Sequence, residues 1–334
     1  MKKIKEATKN INLLRFRFWF QIAAFLFIVY GGYLGLDLGN KLPTFACVFN
    51  GDFTGGKCYV GMLQHDLKFS WETFLGFAGY AFLISLGMFI LWFWLLNKAW
   101  CGFICPLGTM QDWITTLREK LKIRFSQYDW SKREKIKPIK WILLILLLII
   151  PILIANSFFG APTLPNGLSM PFCDICPRRM LIPAFTGDFT QFYISFDSKT
   201  DLVMTTLGMV IVGLFLVGSF IKKRFFCYFC PMAALQYTFS KPALLKLYKD
   251  GSKCTKCGDC YNACDMDILE IADDVKNKNL VTEDCTLCFK CVAACPEDGC
   301  LEANFAGITL FESTKEGFIV RMAMDKREKI NESK

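Results

Sequence analysis

Eight cysteines near the C-terminus fall into two copies of one spacing. The first copy reads Cys254-x2-Cys257-x2-Cys260-x3-Cys264. The second reads Cys285-x2-Cys288-x2-Cys291-x3-Cys295 and is followed by Pro296. The copies are offset by 31 residues and share C-T-x-C-x-x-C-x-x-A-C-x-x-D, which makes them an internal repeat. Three thiolates two residues apart wrap a tight loop around one iron–sulfur cube. The fourth starts the next helix and reaches across a pseudo-twofold axis to the other cube. The spacing therefore gives one [4Fe–4S] cluster, cluster I, to Cys254, Cys257, Cys260 and Cys295. It gives a second, cluster II, to Cys264, Cys285, Cys288 and Cys291. A pair of zinc knuckles is the alternative, but zinc has no use for the third and fourth cysteine of each run. The first run ends Cys264-Asp265, where a proline is more usual. Cysteine supplies the ligand, so cluster II is expected to form, with Asp265 able to alter its potential.

Nine cysteines of the chain's 17 lie outside these runs. Cys101-Gly-Phe-Ile-Cys105-Pro106 and Cys227-Tyr-Phe-Cys230-Pro231 each precede a helical pattern. They continue alike, as C-P-L-G-T-M-Q to Gln111 and C-P-M-A-A-L-Q to Gln236. Cys101, Cys105, Cys227 and Cys230 could form a further metal or iron–sulfur site, or they could be reduced structural thiols at helix starts. Cys47, Cys58, Cys173 and Cys176 lie in two other loops, which also share Gly-Asp-Phe-Thr at 51–54 and 187–190. Disulfides are the simplest reading of these four; a C-x-x-C redox pair or a four-cysteine cluster are the others. Cys300 fits no pattern and reads as a free thiol, so Cys300→Ser is expected to spare both clusters.

The elements that must hold these residues are apolar. Of 334 residues, 53% are hydrophobic and 21% charged, and the mean hydropathy is +0.33. Four stretches reach the length of about 20 residues needed to cross a bilayer core. They are Phe18–Leu36, a segment between Glu72 and Lys98, Trp141 to about Gly160, and Leu202–Ile221. Pro151 falls inside the third, and Gly208, Gly213 and Gly218 give the fourth a small-residue face. After Cys105, Met110, Trp113, Ile114, Leu117 and Leu121 share a helical face. Arg118, Lys120 and Lys122 could then meet lipid headgroups. Lys and Arg number six in residues 1–17, ten in 97–140 and seven in 222–253, against three each in 37–71 and 161–200. That bias puts the N- and C-termini in the cytoplasm.

The expected fold is an α-helical membrane protein of four transmembrane helices with a two-fold internal repeat, joined to a small α+β ferredoxin domain of the bacterial 2[4Fe–4S] type. The expected segments are a cytoplasmic N-terminus (1–17), a transmembrane domain (18–240), a ferredoxin-like domain (241–303) and a C-terminal tail (304–334). The net charge of +9 follows from membrane topology and carries no argument for nucleic acid. One histidine, His65, excludes haem held by two histidines. No nucleotide-binding glycine loop and no acid–base constellation is present.

Four spans, Cys-Pro motifs after the second and fourth, and a two-cluster C-terminal domain resemble the NapH-type polyferredoxins. The YccM-like electron-transport proteins and, more distantly, the NosR and CcoG proteins share the pattern over roughly residues 15–300. The resemblance implies quinol-linked electron transfer in a bacterial cytoplasmic membrane, serving a reductase. The partners would then be lipid, a quinone or quinol, and a redox protein. The chain departs from the group in the two-residue spacing of Cys227-x2-Cys230 and in its four outer-loop cysteines, and no S/T-G-A-T flavin-attachment motif is present. A transmembrane thiol/disulfide or metal reductase feeding the outer cysteines is the competing function. An assembly factor that supplies reductant to a maturing oxidoreductase is a variant of it. Residues near a quinone could include Gln111, Trp113 and Gln236, which also suit interface anchoring.

Overall fold

The computed structural model describes residues 12–31, 58–68, 75–76, 79–123, 130–155, 164–165 and 168–318. Cys47, the first Gly-Asp-Phe-Thr string and residues 319–334 lie outside the described residues.

Among the described residues, four helices are long and apolar enough to cross a membrane: Leu13–Tyr30, Gly79–Leu96, Trp130–Ala155 and Lys199–Ile221. The first and third start earlier than hydropathy alone suggests. Asn12 caps the first by accepting from the amides of Leu14 and Arg15 at 3.1 and 3.3 Å. The third carries a charged first half and two internal prolines, Pro138 and Pro151. The fourth is capped by Ser198, whose hydroxyl accepts from the Asp201 amide. Leu83, Ile145 and Val217 point outward from the spans, as lipid-facing positions do.

The chain divides into two compact units. The larger comprises residues 21–92 and 104–235. In it, three short helices from the loops (Tyr59–Leu67, Pro171–Ile175 and Pro177–Phe185) pack with helix Pro106–Lys120 and the spans. Gln64 ties two of these loop helices together by accepting from the Phe172 amide at 3.0 Å. The core of this unit gathers Phe25, Val29, Val60, Phe172, Ile182 and Phe215. Of the expected glycine face, Gly208 and Gly218 are used: a Cβ at either would collide with the Asp174 carbonyl or the Phe225 ring. A Cβ at Gly213 would meet nothing. The helix Pro106–Lys120 departs from the expected amphipathic pattern. Met110 and Arg118 are buried, Arg118 donates to the Phe220 carbonyl, and Leu117 and Leu121 are exposed.

A buried ion pair locks this unit. Asp112 accepts from Arg224 through both carboxylate oxygens at 2.8 and 2.6 Å, and from Gln21 at 2.8 Å. Arg224 is 1% exposed and adopts a left-handed backbone (φ 51°) just after the fourth span.

The smaller unit comprises residues 1–20, 93–103 and 236–334. Its antiparallel sheet runs β1 (Leu245–Lys249), β2 (Leu301–Phe305), β3 (Ile308–Glu312), in that order. Leu247 pairs with Ala303, and both are buried. Ala306 and Gly307 join β2 to β3 with φ of 51° and 86°, the two-residue turn whose twist matches paired strands. The ferredoxin boundary expected at 303 therefore falls inside β2, and the sheet continues to 312.

Removing one partner of the buried pair strands the other charge, which costs about 3–5 kcal/mol. Arg224→Met is expected to lower the thermal midpoint of the detergent-solubilised protein markedly. Arg224→Met with Asp112→Leu should recover most of that loss.

Candidate metal centres

The repeat folds the same way twice. Lys256 and Leu287 are equivalent positions, as are Gly258 and Phe289. All four have positive φ, of 55°, 47°, 84° and 57°. Each C-x-x-C-x-x-C loop needs these two left-handed residues to curl its thiols inward. A short helix follows each, Asp259–Asn262 and Lys290–Ala294.

The curled loops line two cavities of about 320 and 350 Å³, counting the space open to solvent. Cys254, Cys257, Cys260 and Cys295 line the first; Cys264, Cys285, Cys288 and Cys291 line the second. Backbone amides point at the sulfurs, as Leu287 N–H does at Cys285 Sγ over 3.4 Å. Among the described residues, no three His, Cys, Asp or Glu side chains gather tightly enough to hold a single metal ion. Thiols spread around a cavity instead suit a polynuclear group with one sulfur on each iron.

Electrostatics point the same way. Burial pushes the thiols of Cys260 and Cys285 up to about 11, and those of Cys264 and Cys291 higher still, while neighbouring cysteines add repulsion. Buried thiols of this kind ionise only with a strongly positive group among them, a charge that iron would supply. Some relief is built in. Lys249, buried on β1, lines the first cavity and draws Cys260 down, while its ammonium donates to the carbonyls of Ile271 and Ala272 at 2.8 and 2.9 Å. Lys98 does the same for Cys285 beside the second. Asp265, where a proline was the norm, is 4% exposed and pairs with Lys290 at 2.6 Å.

The end of the second span is built into this unit. Asn97, left-handed at φ 50°, donates to the Leu245 carbonyl at 2.8 Å, and Leu244 N–H donates to the Trp94 carbonyl at 2.8 Å. Lys98 donates to the Glu283 carbonyl at 2.5 Å. The π-helical turn Trp100–Ile104 follows. Within it, a Cβ on Gly102 would stand 2.6 Å from the Thr286 oxygen and 3.0 Å from Cys288 Cα. Only glycine lets this turn press against the loop lining the second cavity. Arg17 secures the turn by donating to the Gly102 carbonyl at 3.1 Å.

Each Cys-Pro motif is held by a glutamine that lies six residues past the second cysteine of the other motif. In the larger unit, Gln111 donates to Cys227 Sγ at 3.6 Å and accepts from Phe226 N–H at 3.0 Å. In the smaller unit, Cys101 donates to Gln236 Oε1 at 2.9 Å. Both glutamines are fully buried, so neither offers itself to a membrane-dissolved ligand. The equal Cys-to-Gln spacing was the sequence signal for this bracing. Cys105, Cys227 and Cys230 lie near one another in the larger unit, where burial holds Cys227 high and pushes Cys230 up to about 12.

Of the outer-loop cysteines, Cys47 lies outside the described residues, and no disulfide joins the described Cys58, Cys173 and Cys176 to one another. Cys58 and Cys176 each start a short helix and pack on the apolar core that Cys105 also touches. Arg179 braces the Cys173–Cys176 turn through Asp174, Gln191 and Tyr193.

Comparison with known proteins agrees with this chemistry. The family described as "4Fe-4S binding domain" matches residues 78–124 and 204–249, and "4Fe-4S dicluster domain" matches 246–296. An uncharacterised protein of Methanocaldococcus jannaschii is 25% identical over 72% of this chain and 84% of its own. The putative electron transport protein YccM of Escherichia coli is 27% identical over 65% of this chain and 54% of its own. A ferredoxin of Methanothermococcus thermolithotrophicus is 43% identical over 15% of this chain and 80% of its own. No solved structure matches. The chain is a distant relative of the YccM, NosR and NapH proteins and carries 4Fe–4S-binding domains on a body with four potential membrane spans.

Gly102→Ala forces the turn and the Cys285–Cys288 loop apart, an overpacking cost of about 1–3 kcal/mol. The expected result is earlier release of iron on heating than in wild type, followed by bleaching of the visible absorption.

Proposed function

We propose that this chain is a membrane-bound electron relay. Cys254, Cys257, Cys260 and Cys295 hold cluster I, and Cys264, Cys285, Cys288 and Cys291 hold cluster II. When bound, each cluster takes up and gives back single electrons. The observation that carries the reading is the grouping of the eight repeat thiols around two cavities, in a unit that also contains the end of a span.

The surroundings of the two thiol sets favour an order. Cys257 is exposed at the first cavity, so that set is the one open to a soluble redox protein. The backbone of Cys288 lies against Gly102, so the second set adjoins the membrane segment that carries Cys101. Electrons entering from one side leave by the other. The membrane reactant on this reading is a quinone or quinol, in keeping with the relative named as an electron transport protein. The excess of Lys and Arg beside the C-terminal domain supports a cytoplasmic position for it, in a bacterial cytoplasmic membrane.

One observation favours a second reading, in which electrons pass on to the outer-loop thiols. A bilayer core about 30 Å thick would separate two membrane faces, yet Cys58, Cys105 and Cys176 pack on one apolar core. The short helices that begin after Cys58 and Cys176 bring these thiols inward from the loops.

Anaerobic purification with iron and sulfide counting tests the relay. About eight irons per chain are expected, with paired EPR signals on reduction. Cys257→Ser should disturb one signal and Cys288→Ser the other. A colourless, folded preparation loaded with zinc would refute the assignment. To test the second reading, thiols are labelled from outside intact cells before and after a cytoplasmic reductant is supplied. Unchanged labelling of Cys173 and Cys176 would dismiss it.

A further inference from the structure

The first cavity has a fifth thiol. Cys300 is 2% exposed and lines this cavity together with Cys254, Cys257, Cys260 and Cys295. Its side chain shares the wall of this cavity with those of Cys295 and Cys254. The second cavity is lined by four thiols and no fifth. The position equivalent to Cys300 in the repeat, 31 residues earlier, is Leu269. The extra thiol therefore breaks the internal symmetry, and it does so at the cavity whose rim residue Cys257 is exposed.

The backbone around this thiol is held by hydrogen bonds on both sides. Cys300 N–H donates to Ser313 Oγ at 3.1 Å, and the Cys300 carbonyl accepts from Asp250 N–H at 2.8 Å. Ser313 Oγ also donates to the Glu297 carbonyl at 2.6 Å and accepts from Leu301 N–H at 3.1 Å. One residue just past β3 thus clamps the whole turn that follows Cys295. The Cys300 sulfur itself makes a long contact of 3.7 Å to the Asp250 carbonyl.

We propose that Cys300 is a reserve ligand at the first site, able to take over the iron of Cys295 or Cys254 when that sulfur is lost. The proposal rests on the cluster assignment above. In the exchange, the Cys300 S–H bond breaks, its proton passes to solvent, and a sulfur–iron bond forms. The bond from iron to the departing sulfur breaks, and that sulfur takes up a proton. No electron changes hands. A lost ligand at the exposed site is thereby replaced from within, without disassembly.

The test compares full-length variants purified anaerobically, read by iron and sulfide content and by EPR. Cys300→Ala alone is expected to keep about eight irons, since all four primary ligands remain. Cys295→Ala is expected to keep them too, with a shifted EPR signal. Adding Cys300→Ala to Cys295→Ala should drop the count to about four. Cys254→Ala, alone and with Cys300→Ala, provides a second background should the first variant fail to fold. Retention in either single variant that is lost in its double supports the proposal. A fall to about four irons in both single variants, beside a wild type with eight, overturns it while leaving the relay intact. Wild-type protein without iron would overturn the relay and this inference with it.

Discussion

Burying sulfur that must become anionic is the constraint around which the C-terminal unit is organised. Thiols in a dry, crowded site hold their protons, and those of Cys264 and Cys291 do so strongly. The fold meets this partly with amides aimed at sulfur and with buried ammonium groups at Lys249 and Lys98. The remainder is left for iron. It follows that the unit and its inorganic content are coupled: the arrangement that suits the clusters is unfavourable for bare thiolates.

The same economy shapes the membrane-side motifs. Gln111 and Gln236 sit at one spacing from their Cys-Pro turns, and each holds the first cysteine of the opposite motif. The repeat is thus bound to itself by polar contacts rather than by apolar packing alone. Beside it, the Asp112–Arg224–Gln21 network fixes the start of the second motif.

Much of this was legible from residue order. Apolar length gave the four spans, and cysteine spacing gave two loops that curl alike. What could not be read has definite causes. β3 lacked a signal because Ile308–Glu312 pairs with a strand across a two-residue turn in a stretch with weak alternation. Arg118 was assigned to headgroups by helical periodicity, but a carbonyl at the end of the fourth span outweighs water as its partner. The place of Cys300 in the wall of the first cavity is invisible in the sequence, because no linear pattern marks such walls.

The assignment of residues 93–103 to the C-terminal unit has a consequence for any attempt to divide the chain. Cut near position 236, the last hundred residues would lack an eleven-residue insert contributed from the middle of the polypeptide. The Leu244 amide and the carbonyls of Leu245 and Glu283 would lose their partners, and the floor under Cys288 would be gone. The cysteine-bearing unit is therefore not a detachable cassette: one piece of a hydrophobic helix end is threaded into it.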